Sequence, residues 1–344
     1  MKAMMLTGIR RMEMLDVPEP EILNDTDVRI RMVVVGVCGS DIHYYTSGRI
    51  GNQVVTWPFT VGHEGAGIIE AAGTKVSRVK VGDLVAIDPA MPCFQCDQCQ
   101  SGRPHTCRKL RFLGCPGQAE GCLSEFIVMP ESSCFPVSGK LSPDKAAISE
   151  PLAIGVYAVR KSGPPAGLKI GILGSGPIGL SVMLAAGVQK AAKIYMTDRI
   201  DERLKLAGNA GAYRTGNPDK EDIVENIGRL EPYGLDVIFE CCGKQEALDQ
   251  AFSLLKPGGK IMIVGIPEFD TWQIPVSLSR HKEIAVQNVR RQVGCVQQTL
   301  DYLTSGQING LQMVTHRFGF GETKEAFDLV AGYKDGVMKA MVEF

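Results

Sequence analysis

The apolar run Lys169-Ile170-Gly171-Ile172-Leu173 passes straight into Gly174-Ser175-Gly176-Pro177-Ile178-Gly179 and then into the helical pattern Leu180 to Val188. Few stretches restrict a fold more, because a buried strand, a turn that needs glycine and a helix start must follow one another without a break. Gly174 allows the tight turn, Gly176 lets a pyrophosphate approach the backbone, and Gly179 lets helix and strand pack closely. Ser175, Pro177 and Ile178 complete the loop, and the helix N-terminus presents N–H groups and positive partial charge to phosphate. A tight turn with no ligand is the plainer reading, but the strand before, the helix after and an acid ending the next strand all fit a dinucleotide.

The surroundings agree. From residue 151 to 287, strand-like runs near 169–173, 193–198, 212–214, 235–240, 260–265 and 283–287 alternate with helical segments, the pattern of βαβ units around a parallel sheet. Asp198 is placed to accept hydrogen bonds from adenosine ribose hydroxyls, and its charge repels a 2′-phosphate, which favours NAD. Arginines just past that strand can accommodate the extra phosphate, so Arg199 and Arg203 leave NADP open. Cys241 and Val264-Gly265-Ile266 follow later strands, whose carboxyl ends are expected to face the cofactor.

Before residue 150 the texture differs. Asp27-Val28-Arg29-Ile30-Arg31-Met32 alternates polar and apolar, and 67–70 and 83–87 are short β-like runs between glycines, so residues 1–150 are expected to form a β-rich, loop-rich domain. Helical spacing of Leu152, Val156 and Val159 marks the change of domain near Ser149-Glu150-Pro151. A further helix is expected from Val293 to Thr304, with the closing segment returning to the first domain.

This first domain carries two candidate metal sites. Cys38, followed by His63-Glu64 and distantly by Glu150, offers the thiolate, imidazole and carboxylates that zinc accepts, and three protein ligands leave one position for water or substrate. Singly, Cys38 reads as a small buried apolar residue and His63 as a core histidine; only the combination points to a metal. Cys93, Cys96, Cys99 and Cys107 lie in one short loop, a spacing that closes a tetrahedral four-thiolate site with no room for substrate, hence a structural zinc. A redox pair would sit in a thioredoxin-like βαβ pattern, and a nucleic-acid zinc ribbon would come with a basic chain.

Composition removes other classes. The 344 residues suffice for two domains, and a formal net charge of -1 provides no basic field for nucleic acid or an anionic membrane. Eleven cysteines, an odd count, suit metal ligation and a reducing cytoplasm better than a disulfide framework. Arg10, Arg11 and Glu13 interrupt any signal-peptide core, and the charge-free stretch Ile170 to Val188 contains the glycines and Pro177 of a strand and turn rather than a membrane span. A small molecule and a cofactor are therefore the expected partners.

Taken in order, Gly36-Val37-Cys38-Gly39-Ser40-Asp41, Gly62-His63-Glu64-Gly65-Ala66-Gly67, Val81-Gly82-Asp83-Leu84-Val85, the four-cysteine loop and the glycine loop resemble the zinc-dependent medium-chain dehydrogenase/reductase family along essentially the whole chain. Cys38 to Tyr45, Gly48-Arg49-Ile50 and Ser149-Glu150-Pro151-Leu152 are similar to its polyol (sorbitol and xylitol) dehydrogenase branch. The resemblance implies an α/β protein with a GroES-like catalytic domain, 1–150 completed by 288–344, and a Rossmann doubly wound domain, 151–287. It also implies homo-oligomers, tetramer or dimer. Cys38, His63 and Glu64 would bind catalytic zinc, with Glu150 binding directly or through water, and the two carboxylates exchanging places during turnover. Ser40 would accept the substrate proton and His43 relay it, although both also suit local turn hydrogen bonds. Asp41 would brace the ligands or cap the following turn. Tyr44, Glu150, Arg291 and Gln292 would contact a polyhydroxy substrate. Gln292 stands where the branch has tyrosine, and the four cysteines are incomplete in its animal members, so a sugar, cyclitol or sugar-acid substrate fits as well as sorbitol. A threonine 3-dehydrogenase-like enzyme and a non-catalytic dinucleotide- and zinc-binding protein are the alternatives.

Overall fold

The computed structural model describes residues 1–137, 139 and 141–344. It divides into two compact units, Met1–Glu150 with Val296–Phe344, and Pro151–Cys295. The second crossing thus falls at Cys295 rather than 287, because the residues after the last parallel strand stay with that sheet's unit.

The first unit is built on the strand Asp27–Gly36, where the alternation of sequence becomes an alternation of burial: Val28, Ile30 and Met32 are buried and Arg31 is exposed. Glu64–Ala72 pairs antiparallel along one edge, while Phe126–Pro130 and Lys339–Glu343 share the other. Leu84–Ile87, Cys134–Pro136 and Val314–Gly319 complete a seven-stranded sheet. Lys339–Glu343 lies between Asp27–Gly36 and Val314–Gly319, so the chain's two ends share one sheet. Ile30, Met32, Ile69, Tyr45 and Phe327 are fully buried and anchor this unit's core.

The second unit is a six-stranded, all-parallel sheet in the order Arg214–Gly216, Lys193–Thr197, Lys169–Leu173, Leu235–Glu240, Leu255–Ile263, Ala285–Asn288. Numbered along the chain this is 3-2-1-4-5-6, the doubly wound order of dinucleotide-binding sheets. The charge-free stretch resolves into the first strand and the helix Pro177–Val188. No helix among the described residues is long and apolar enough to cross a membrane.

Of the element boundaries that differ from expectation, three have a clear local cause. The third strand starts at Arg214 instead of 212, after Gly211 at φ 110° has turned the chain. The fifth begins at Leu255, because Leu255 pairs with Leu235 and a register irregularity then absorbs Pro257-Gly258-Gly259, which as sequence looks like a turn. The helix expected from Val293 begins at Val296: Arg291 (φ 52°) and Gly294 (φ 63°) are left-handed, and Gln292 Oε1 accepts from Cys295 N at 3.0 Å.

Candidate active site

Cys38 is the N-cap of the helix Gly39–Ser47. Asp41, three residues on and fully buried, caps that end by accepting from Cys38 N at 3.2 Å through Oδ2. Its Oδ1 accepts from Gly62 N at 3.2 Å and lies 3.2 Å from His63 Nδ1. One carboxylate therefore fixes the backbone at both candidate ligands, and a carboxylate beside one imidazole nitrogen is the usual way a ligating histidine is oriented. The Gly62 turn (φ 98°) delivers His63 and Glu64 to the start of the strand Glu64–Ala72.

A single ligand atom from each of Cys38, His63 and Glu64 fits within 4.8 Å of the others. Burial opposes a charged imidazole, yet the Asp41 carboxylate and the Cys38 sulfur outweigh it and hold His63 well above its ordinary pKa. A thiolate, an imidazole and a carboxylate, buried and rich in negative charge, suit a divalent zinc ion. Glu150, buried in the first turn of the helix Ser149–Ser162, stands outside this group of three. Burial pushes its carboxyl up to about 8, with Glu64 and Asp88 adding to the rise and His63 and Lys339 opposing it.

Sequence reading missed Lys339. Its Nζ donates to both Glu64 oxygens, at 2.7 and 2.6 Å, and to Val37 O at 3.1 Å, with both charged side chains 1% exposed. The signal available was a single charge in the apolar run Val337 to Val342, since an ammonium buried in a strand requires a partner. Gly36 makes room for the pair: a Cβ there would stand 2.4 Å from Glu64 Oε2.

Ser40 Oγ donates to Cys38 Sγ at 3.3 Å, and half-buried His43 follows three residues later on the same helix face. Tyr44 is buried, and its hydroxyl donates to Gln53 Oε1 at 3.2 Å. The Phe112 ring lies 5.6 Å from that of His63.

Cys93, Cys96, Cys99 and Cys107 gather their sulfurs within 4.8 Å, with Sγ–Sγ distances of 3.6 Å (96–99), 3.8 Å (96–107) and 3.4 Å (93–107). None of the eleven cysteines forms a disulfide. Backbone N–H groups of Cys93 and Lys109 point at Cys107 Sγ, and backbone N–H groups at Arg108 and Cys99 lower the Cys96 thiol to about 6. Four sulfurs so placed, with N–H groups favouring thiolates, fit a tetrahedral zinc.

In the second unit Gly174 is left-handed (φ 102°), and a Cβ on Gly179 would stand 1.8 Å from Gly174 O. Gly176 caps the helix Pro177–Val188, with Pro177 and Ile178 in its first turn, so its first N–H groups are available to phosphate. Asp198 Oδ2 accepts from Ser175 N at 2.7 Å and Oδ1 from Ile200 N at 3.0 Å, bracing the loop; buried Ser175 donates to Thr197 O at 3.2 Å. Arg199, exposed, pairs with Asp219 at 2.7 Å. Buried Arg203 faces the loop, its Nη1 lying 3.4 Å from where a Gly176 Cβ would be. Cys241 and Val264-Gly265-Ile266 follow the carboxyl ends of neighbouring strands. Glu240 Oε1 closes the turn after its own strand by accepting from Cys242 N and Gly243 N at 2.9 and 2.6 Å, while its backbone oxygen joins the two strand ends by accepting from Val264 N at 2.8 Å and Gly265 N at 2.9 Å. Arg291 and Gln292 belong to this unit, where the Gln292 carbonyl is turned onto Cys295 N.

Residues 24–139 match the family model for the alcohol dehydrogenase GroES-like domain, and residues 177–305 that for zinc-binding dehydrogenase. The chain is 35% identical to sorbitol dehydrogenase of Bacillus subtilis, over 99% of this chain and 97% of the relative. It is 33% identical to L-idonate 5-dehydrogenase of Vitis vinifera, over 95% and 90%. Among solved structures, a putative zinc-binding dehydrogenase of Sinorhizobium meliloti bound to NADP superposes with a TM-score of 0.91 at 30% identity, covering 100% of this chain and 99% of that one. Fold, donor sets and relatives agree that the chain belongs to the zinc-dependent medium-chain dehydrogenase/reductase family, in its polyol dehydrogenase-like branch, and is an oxidoreductase acting on CH–OH groups.

Proposed function

We propose that the chain catalyses reversible, NAD-linked oxidation of a secondary hydroxyl of a polyol, or of a related sugar, cyclitol or sugar acid, to the ketone. The observation that carries this reading is the meeting of Cys38, His63 and Glu64 ligand atoms within 4.8 Å, with Ser40 Oγ 3.3 Å from the Cys38 sulfur. The relatives' names, sorbitol and L-idonate dehydrogenase, support the polyhydroxy class.

Cys38, His63 and Glu64 would hold the catalytic zinc, with Glu150 binding it directly or through water, and the four cysteines a structural one. When bound, zinc would supply a Lewis acid for the hydroxyl oxygen and the dinucleotide a nicotinamide able to take up hydride. Ser40 Oγ takes the hydroxyl proton and His43, one turn along the helix, carries it outward. Asp41 keeps His63 oriented throughout, and Tyr44, Glu150, Arg291 and Gln292 contact the substrate. NAD is favoured over NADP because the Asp198 charge repels a 2′-phosphate and Arg199 is drawn to Asp219.

The test is a panel of polyols, cyclitols, sugar acids and L-threonine, each with NAD and NADP, with metal content measured on the same preparation. The expected result is NADH production from a polyhydroxy substrate and about two zinc ions per chain. Cys38→Ser should cut turnover by more than about a hundredfold. Dinucleotide binding without turnover across the panel would select a non-catalytic protein, and activity with L-threonine alone a threonine-type enzyme.

A further inference from the structure

Two acids stand at the carboxyl ends of the parallel sheet, one on each side of its first strand. Asp198, just after the second strand, braces the glycine loop through Ser175 N, while Gly174 N donates to Thr197 O at 2.9 Å. Glu240, the last residue of the fourth strand, repeats that arrangement on the opposite side. Its Oε1 accepts from Cys242 N at 2.9 Å, from Gly243 N at 2.6 Å and from Cys242 Sγ at 3.2 Å. Its backbone oxygen takes Val264 N and Gly265 N, so one residue holds the turn 241–243 to the turn 264–266.

The packing there leaves no slack. A Cβ on Gly265 would stand 2.4 Å from Gly243 N and 2.7 Å from Glu240 Oε2, and one on Gly243 (φ 66°) would stand 2.5 Å from Ile266 O. The two turns therefore meet backbone to backbone, with the carboxyl between them. Glu240 is 0% exposed, and its Oε2 has no hydrogen-bond partner among the described residues. Burial pushes the carboxyl above its ordinary range, against the donors on the turn that follows it. A half-satisfied buried acid is a poor stabiliser, which leaves its place at the end of the fourth strand to be explained by something other than stability.

A doubly wound sheet consists of two mononucleotide-binding halves, and the dinucleotide crosses it where the strand order reverses, here between the first and fourth strands. The glycine loop and Asp198 serve adenosine and pyrophosphate, which leaves the turns after the fourth and fifth strands to the nicotinamide nucleotide. Resting on the dinucleotide-linked reading above, we infer that Glu240 is a positioning residue for the nicotinamide half of the cofactor, its side-chain oxygen and its carbonyl setting the turns 241–243 and 264–266 as a single wall. The reach of the acceptor oxygen matters here and the charge of the acid does not, because the backbone N–H groups are satisfied by any carbonyl-type oxygen held at that place.

Two variants separate reach from charge. Glu240→Gln keeps the reach and loses the charge; Glu240→Asp keeps the charge and draws the oxygen back by one methylene. Dissociation constants are measured on the zinc-loaded protein for NADH and for ADP, which carries the adenosine and pyrophosphate alone. Glu240→Asp should weaken NADH by about tenfold or more and ADP by less than about twofold, whereas Glu240→Gln should leave both within about twofold of wild type. Equal weakening of both ligands by Glu240→Asp, NADH binding unchanged by it, or a Glu240→Gln variant as impaired as Glu240→Asp overturns the inference. A wild type that binds neither ligand refutes the proposed function instead, and hydrogen exchange then decides the brace by itself. Amides of Cys242, Gly243, Val264 and Gly265 that exchange faster together in Glu240→Asp and not in Glu240→Gln support it; exchange unchanged at either turn overturns it.

Discussion

The most consequential single contact is Lys339 with Glu64, two opposite charges removed from water together. Such a pair adds little net stability compared with an apolar pair, but deleting one partner leaves the other uncompensated. Lys339→Met should therefore cost about 3–5 kcal/mol, read from urea denaturation, whereas Lys339→Met combined with Glu64→Gln should recover most of that loss. If the double variant is no more stable than the single, Lys339 contributes through packing alone. At this scale the sequence was informative where chemistry is concentrated in short motifs: Cys38, His63, Glu64 and the four cysteines were legible from residue type and spacing. Lys339 was not, because it reaches Glu64 across 275 residues and no local pattern encodes that distance.

Among elements, the parallel sheet was legible because its central strands are largely apolar and buried and the glycine loop fixes the first crossover. The errors fell where a turn-like sequence pairs as strand, as at Leu255, or where left-handed residues delay a helix, as at Val296. An unanticipated tie secures the start of the sheet. Glu231, just after the helix Ile223–Leu230, accepts from Lys169, from Lys193 at 2.8 Å and from Tyr195 at 2.6 Å, joining the first two strands. Burial alone would raise its carboxyl, but the two ammonium groups and the tyrosine hydroxyl win and lower it to about 2. A depressed carboxylate stabilises the fold above its unfolded pKa of about 4.3 and loses that contribution as pH falls towards the folded value. Glu231→Gln should thus be less stable than wild type by roughly 2–3 kcal/mol at pH 7, the difference shrinking between about pH 4.5 and 2. Denaturant midpoints measured across that range check it, and a difference independent of pH would mean that the charge is irrelevant.

At the scale of the whole molecule, the two units rest on different devices: the second on a parallel sheet with an apolar, buried centre, the first on a sheet supplemented by a cysteine-held loop. Cys96→Ser should lower zinc content from about two ions per chain to about one and expose residues 93–109 to protease, while the metal bound through Cys38 stays in place. Mass spectrometry of native protein and of limited digests would show both effects; simultaneous loss of both ions would mean that the two sites are not independent. The first unit is also discontinuous, since Val296–Phe344 folds with Met1–Glu150. Because Lys339–Glu343 lies beside Asp27–Gly36 in that sheet, a ribosome must deliver the entire dinucleotide-binding unit before the lysine that neutralises Glu64 exists. Until then the nascent N-terminal portion carries an uncompensated carboxylate and a sheet missing two strands, so secure metal uptake becomes an event of late synthesis rather than an early one.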